Sequence, residues 1–219
     1  MSLPPAYAIR SLIHSYDGKI ALDIPALDIP GGTISAFVGP NGCGKTTLLS
    51  ILALLLSPSS GSVQMHGVET VRNRDFDVRR KVTLVHQKPV LFSTTVRRNV
   101  AYGLHAMGLP SQDIDRRVQS MIKDMNLSEV ADKHARTLSG GEAQRAVLAR
   151  ALVLETPIVL LDEPTNSLDE ASKPLLNELL LRAAGKRGTT VLLATHAMNF
   201  VSALTDRIIR MESGKILGT

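Results

Sequence analysis

Residues 39–47 read GPNGCGKTT. This stretch limits the possible folds more than any other. Gly39, Gly44, Lys45 and Thr46 have the spacing G-x-x-x-x-G-K-[ST], which works only with an apolar strand ahead and a helix behind. "TISAFVG" at 33–39 supplies the strand, and a helix is expected from 44 to 56. The glycines let backbone N–H groups turn toward phosphate oxygens with no Cβ in the way. The helix start adds partial positive charge. Lys45 brings a full charge for outer phosphates, and the Thr46 hydroxyl can ligate Mg²⁺. A purely structural glycine turn would not need the Lys-Thr pair. Cys43, inside the loop, has two readings. Either any small residue serves there, or the helix start activates its thiol.

Elsewhere apolar runs alternate with helical patterns. "YAIRSLIHSYDGKIALDIPALDIPGGT" reads as short strands with a turn at Asp17-Gly18, and its two ALDIP copies as two similar strand pieces. "KVTLVH" at 81–86, "PIVLLDE" at 157–163 and "TTVLLATH" at 189–196 read as strands. Helices are expected over 94–135, 139–155 and 170–185, and after His196. Such alternation predicts an α/β fold: a mostly parallel core sheet flanked by helices, with an N-terminal antiparallel β subdomain. The stretch 88–137 has no strand of its own and reads as a small α-helical subdomain. The remaining 1–87 and 138–219 form the core and β subdomain of a single domain.

"IVLLDEP" ends a buried strand on two acids. An ionised acid there needs a partner, and Mg²⁺ on nucleotide phosphates suits Asp162. Side chains alternate along a strand, which leaves Glu163 free to poise a water as general base. His196 ends the next strand, at the sheet edge where ligands bind, and is a candidate contact for a terminal phosphate. The remaining histidines show no metal-ligand spacing. "LSGGEAQR" at 138–145 opens another helix on a glycine pair. An N-cap with an acid in the first turn explains Ser139 and the glutamate but not both glycines.

Taken together, these motifs resemble the ATP-binding subunit of ABC transporters, over essentially the whole chain. LSGGE before QR is similar to that family's signature, GPNGCGKTT to Walker A, and IVLLDEP to Walker B with its catalytic glutamate. The resemblance implies the P-loop NTPase fold of ABC ATPases and an ATPase that uses ATP and Mg²⁺. It implies Gln87 of "LVHQKP" as the Q-loop residue, near metal and catalysis, Asp169 of "SLD" as the D-loop, and His196 as the switch histidine. Tyr16 is the match to the aromatic that stacks on adenine. Pro40, Asn41, Gly42, Cys43 and Thr47 complete the loop around the phosphates. The family packs two copies head to tail around two ATP molecules. Ser139, Gly140 and Gly141 would then meet the γ-phosphate held by the other copy. Gln87 and the helical subdomain would pass the motion to transmembrane permease subunits.

Composition narrows the classes. The net charge is +5, with arginines clustered at 72–80, 97–98 and 116–117, but only 3% of residues are aromatic. No stacking platform for bases is visible, so a solvated basic face is favoured over nucleic-acid binding. One cysteine excludes an internal disulfide framework and points to a reducing compartment. "LLSILALLL" at 48–56 is far short of the roughly 20 residues a membrane span needs. The start shows no signal peptide, and the resemblance, to a free-standing cassette without membrane spans, implies a bacterial subunit peripheral to the cytoplasmic face of the membrane. "QKPVLF" followed by "TVRRNVAYGL" resembles importers of tungstate, molybdate or phosphate, which implies an extracytoplasmic substrate-binding protein as a further partner. The chain stops soon after "RMESGKILGT", so no appended regulatory domain is expected. The alternatives are a lipoprotein- or peptide-type exporter motor and a non-transport ABC ATPase. The last is disfavoured by the single cassette and the absence of heptads.

Overall fold

The computed structural model describes residues 5–70, 76–205 and 207–218. Arg72 and Arg74 of the basic cluster and the first four residues lie outside these. In chain order the strands and helices are β1 (Tyr7–Tyr16), β2 (Lys19–Ile29), β3 (Ile34–Val38), α1 (Lys45–Leu52), β4 (Ser60–Met65), β5 (Val68–Glu69), α2 (Phe76–Arg79), β6 (Val82–Val85), α3 (Val96–Ala106), α4 (Ser111–Asp124), α5 (Gly140–Leu152), β7 (Ile158–Asp162), α6 (Ser172–Arg187), β8 (Thr190–Thr195), α7 (Met198–Ser202), β9 (Ile208–Glu212) and β10 (Lys215–Gly218). Among the described residues, no helix is long and apolar enough to cross a membrane.

The chain divides into two compact units. The first comprises residues up to Leu84, Thr156–Glu163 and Leu180 onward. It holds an antiparallel sheet in the order β2-β1-β4-β5 and a second sheet in the order β10-β9-β3-β8-β7-β6. In the second, β9, β3, β8 and β7 run parallel, and β10 turns back along β9. Every residue of β7 and β8 is buried, as central parallel strands require. Leu48, Leu49 and Leu52 of α1 share one apolar core with Phe37, Leu160, Leu192 and the inward residues of β1 and β2.

The Asp17-Gly18 turn forms as expected, with φ of 48° and 79°, the doubly positive geometry of a tight hairpin. The strands on either side are not short: β1 has 10 residues and β2 has 11. Both ALDIP copies lie in the single strand β2. A five-residue repeat is odd, so a straight strand points its two Leu-x-Ile pairs to opposite faces. Leu22, Ile24, Leu27 and Ile29 are nevertheless all buried. The hairpin therefore changes its buried face midway. On β1 the change falls between Ile9 and Leu12, at Ser11, whose φ is 48°. Gly61 crosses there so closely that a Cβ would sit 2.2 Å from the Ser11 carbonyl oxygen.

Helix α1 ends at Leu52, short of the expected residue 56. Leu54 takes a left-handed φ of 60°, and the Leu55 and Leu56 N–H groups both turn back to the Ser50 carbonyl. The buried Tyr7 hydroxyl donates to the Leu52 carbonyl at 2.7 Å, satisfying a helix-end acceptor from the neighbouring sheet. Burial pushes the Tyr7 phenol pKa well above its usual value, so it stays a donor.

The second unit comprises Val85–Glu155 and Pro164–Leu179, more than the expected 88–137. Helices α3 and α4 pack on each other and on α5. Two short helices alone would leave their apolar stripes in water. With α5 they bury Val100, Leu104, Ile114, Val118, Leu148 and Leu152. Asn99, fully buried, accepts from the Phe92 N–H at 2.8 Å and donates to the Phe92 carbonyl at 3.0 Å, fixing the segment ahead of α3.

Gly61→Ala should lower stability by about 2–3 kcal/mol, from left-handed strain plus overlap with Ser11. Urea denaturation of the purified protein measures it.

Candidate functional site

The phosphate loop is shaped by its neighbours as much as by its own residues. A Cβ on Gly39 would lie 2.1 Å from the Met211 carbonyl oxygen. Gly44 has φ of 104°, and a Cβ there would meet the Ala21 carbonyl oxygen at 2.9 Å. Backbone from β9 and β2 thus demands glycine at both positions. The Gly214 N–H donates to the Cys43 carbonyl at 3.0 Å, pinning the middle of the loop to the β9–β10 turn. Pro40, Asn41, Gly42 and Thr46 are exposed, and Thr47 is half-buried. No side chain caps α1, and its first turn carries no acid. Its N–H groups and dipole are therefore open to an external anion. Lys45 is buried, and its Nζ donates to the Gly39 and Pro40 carbonyls at 2.7 and 3.1 Å.

Cys43 is only 3% exposed. Thiolate chemistry needs access, so the structure supports the small-residue reading of this position.

The acids take distinct conformations. Asp162 closes β7, and its Oδ2 accepts from the Thr46 hydroxyl at 2.8 Å, joining the end of the strand to the start of α1. Glu163 leaves the strand at φ of 46°, a left-handed conformation that costs a non-glycine residue about 1–3 kcal/mol. Its N–H donates to the Ala194 carbonyl at 2.7 Å. The carboxylate is 5% exposed, with Oε2 accepting from the Thr195 hydroxyl at 3.0 Å and Oε1 lying 2.9 Å from His196 Nδ1. His196 itself keeps 58% of its side chain in solvent. Lys45, Thr46, Asp162, Glu163 and His196 all belong to the first unit. Tyr16, also in this unit, is half-exposed at the end of β1. The buried His14 ring meets it edge-on at 4.7 Å.

Thr46 and Asp162 fit Mg²⁺. A hydroxyl and a carboxylate in contact are hard oxygen donors, and Mg²⁺ ordinarily takes one or two carboxylates and completes its shell with waters and phosphates. Among the described residues, no cluster of three or more His, Cys, Asp or Glu side chains offers a closed protein cage instead.

The second unit carries the other glycine pair. Ser139 caps α5 in a full capping box. Its N–H donates to Glu142 Oε2 at 2.7 Å, and its Oγ accepts from the Glu142 N–H at 3.3 Å. Those bonds from Ser139, the backbone N–H foremost, hold the Glu142 pKa below its usual value. The local capping explanation is thus correct for Ser139 and Glu142. It leaves Gly140 unexplained, because a Cβ there would meet nothing within 4 Å among the described residues. Gly141 is tighter: a Cβ there would lie 3.4 Å from the Ser167 carbonyl oxygen. Asp169 is exposed and tied down: Oδ1 accepts from the Ser172 N–H at 2.8 Å and Oδ2 from Arg145 at 3.2 Å. Hydrogen bonds from Ser172, then Arg145, hold its pKa low. Gln87 is exposed on the segment after β6.

Three residues here were not singled out from sequence. Thr195 holds Glu163. Gln144 donates to the Pro164 carbonyl at 3.1 Å, and Arg145 donates to Asp169 and to Ser172 Oγ. The only available signal was the QR that follows LSGGEA.

The fold and site define a nucleotide-binding ATPase cassette. A family model described as ABC transporter matches residues 22–166. The chain is 35% identical to the tungstate uptake system ATP-binding protein TupC of Peptoclostridium acidaminophilum, over 95% of each chain. It is 36% identical to the phosphate import ATP-binding protein PstB 2 of Natronomonas pharaonis, over 96% of this chain and 78% of that one. Among solved structures, the dimeric post-hydrolysis cassette MJ0796 bound to ADP and Pi superposes with a TM-score of 0.90 at 28% identity, covering 97% of both chains. The chain belongs to the ABC transporter family, as an ATP-hydrolysing motor subunit. Cassettes of this family dimerise and act with transmembrane components of transporters.

Glu142 makes one feature testable by pH. Its depressed pKa gives a stabilisation present above the unfolded value of about 4.3, and lost as pH falls through the folded one. Urea denaturation should therefore show a wild-type advantage over Glu142→Gln that is constant from about pH 7 to 5 and shrinks toward about pH 3.

Proposed function

We propose that two copies of this chain pack head to tail and hydrolyse two MgATP molecules at shared sites, driving import of an inorganic oxyanion. One observation carries the catalytic half. The Glu163 carboxylate is held between Thr195 and His196, one residue beyond the Asp162–Thr46 contact at the lip of an uncapped helix.

The residues then divide the work. Tyr16 stacks on adenine with its exposed face. Loop N–H groups from Gly39 to Thr47 and the start of α1 take the phosphates. Lys45 exchanges its two loop carbonyls for phosphate oxygens. Thr46 and Asp162 would hold Mg²⁺, which supplies positive charge to the outer phosphates. Glu163 accepts a proton from a water as its oxygen attacks the γ-phosphorus. The bond from that phosphorus to the bridging oxygen breaks, and ADP leaves. The His196 ring, with Nδ1–H toward Glu163, can donate from Nε2 to a phosphate oxygen in its doubly protonated form.

Ser139, Gly140 and Gly141 meet the γ-phosphate bound by the partner copy, and Asp169 lies at the same contact. The open space around Gly140 supports this, since nothing among the described residues requires a glycine there. A two-fold contact is also the commonest symmetry for such a pair. Transmembrane permease subunits dock on the second unit near Gln87. Val90 at 70%, Phe92 at 45% and Tyr102 at 56% exposure support this with an apolar surface. The likeness to tungstate uptake and phosphate import subunits supports oxyanion import; in this reading the motor works on the cytoplasmic face of the membrane with an extracytoplasmic binding protein. Uptake of tungstate, molybdate or phosphate by the motor reconstituted with its permease and binding protein tests the cargo.

Glu163→Gln should bind ATP normally and lose turnover by at least about 100-fold, the ordinary worth of a general base. Near-normal hydrolysis would exclude the role. For the shared site, Lys45→Ala and Gly141→Asp chains should each be inactive alone. Mixed, they can form one intact site per heterodimer, and recovery of ATPase activity is the expected outcome.

A further inference from the structure

The parallel strands of the first unit have two ends. Their C-terminal ends carry the phosphate loop, Asp162 and His196. At the N-terminal ends the structure has a cavity of about 660 Å³. Gly31 and Gly32 lead into β3, Pro157 into β7, and Gly188 into β8, and all four residues line it. The volume falls within the roughly 300–1,000 Å³ of small-molecule sites.

The chemistry of the walls is specific. Pro5, Pro30 and Pro157 are rigid and apolar, and bring no N–H group. Four side chains add polarity: Asp28, His66, Thr190 and Arg207. Two of these are already engaged. Asp28 is held by both nitrogens of the Arg10 fork, at 2.6 and 2.9 Å, and Thr190 accepts from the Gly32 N–H at 3.0 Å. Arg207 is different. Its Nη2 donates to the Asp28 carbonyl at 3.1 Å, but no carboxylate among the described residues pairs with it. Its Nε is closed to solvent and has no hydrogen-bond partner among the described residues. A guanidinium on a cavity wall with no carboxylate partner among the described residues leaves a positive charge there, and an anion is its natural complement. His66 adds a ring donor. It sits at φ of 49° in the tight turn between β4 and β5, its own N–H fixed to the Ala6 carbonyl at 3.0 Å. Burial, then the nearby Lys81, holds its pKa below the usual value.

We propose that this cavity binds a small organic anion, with its acid group on Arg207 and His66 and its apolar body against the three prolines. An inorganic oxyanion would satisfy the guanidinium and leave the apolar wall in water. The site is separate from the nucleotide site, which lies at the other end of the same strands.

The test uses the full chain, ¹⁵N-labelled, with MgADP present to fill the nucleotide site. The probes are 2-naphthoate, its neutral amide 2-naphthamide, phenyl phosphate and inorganic phosphate. Naphthoate should shift the amides of Gly31, Gly32 and Gly188 saturably, with one site per chain. The neutral amide should bind at least about tenfold more weakly, since hydrogen bonds to a charged group are worth that much. Arg207→Gln should weaken naphthoate by a similar factor. If phenyl phosphate outcompetes naphthoate at these amides, the natural acid is a phosphate monoester; if naphthoate outcompetes it, the acid is a carboxylate. The proposal is overturned if naphthoate leaves the three glycines unshifted, if naphthamide or inorganic phosphate binds there equally well, or if folded Arg207→Gln binds like wild type. The naphthoate–naphthamide comparison needs no variant, so it decides the matter even if Arg207→Gln does not fold.

Discussion

A carboxylate at the end of a fully buried strand must be met by a donor or a cation, and Asp162 is met by Thr46. That 2.8 Å hydrogen bond joins β7 to the first turn of α1. It sets where the phosphate loop stands relative to the sheet, and it places two hard oxygen ligands together before any metal arrives. The Gly39 and Gly44 contacts serve the same end from the other side. Backbone from β9 and β2 presses on the loop so closely that no side chain fits. The loop is therefore preorganised, and its open N–H groups represent unmet bonding capacity rather than flexibility.

Beyond Asp162 the chain switches conformation within one residue. Glu163 carries left-handed strain, and its carboxylate is stabilised by Thr195 and His196 from the neighbouring strand. Strain of this kind persists only where surrounding structure enforces it, and it concentrates at functional sites. The second unit shows the complementary arrangement. Gln144 and Arg145 of α5 grip the segment from Pro164 to Ser172 at both ends, so the Ser139 cap and Asp169 are held on one body. A partner chain would meet both features as a single surface.

Much of the site was legible in the sequence, because its chemistry depends on local spacing. A glycine-lysine-threonine run, an apolar strand ending in two acids, and a histidine closing another such strand each carry their reason within a few residues. The features not found in advance depend on partners distant in sequence. Thr195 reads as one more threonine in an apolar run until Glu163 turns back toward it. Arg145 reads as a helix-surface arginine until Asp169 and Ser172 arrive 24 and 27 residues later. The carbonyl at the early end of α1 is met by a tyrosine hydroxyl 45 residues upstream.

The sequence by itself determined the alternation of strands and helices, the family, and the residue types placed around a nucleotide. Short-range periodicity and steric demands on glycine are enough for those conclusions. Tertiary structure alone decided which face of the β1–β2 hairpin is buried along each half, how far the second unit extends, and that a cavity walled by Arg207 and His66 lies at the opposite end of the sheet. Each of these arises from groups brought together across long stretches of chain, and burial energy depends on what a residue meets in space rather than on its neighbours in sequence.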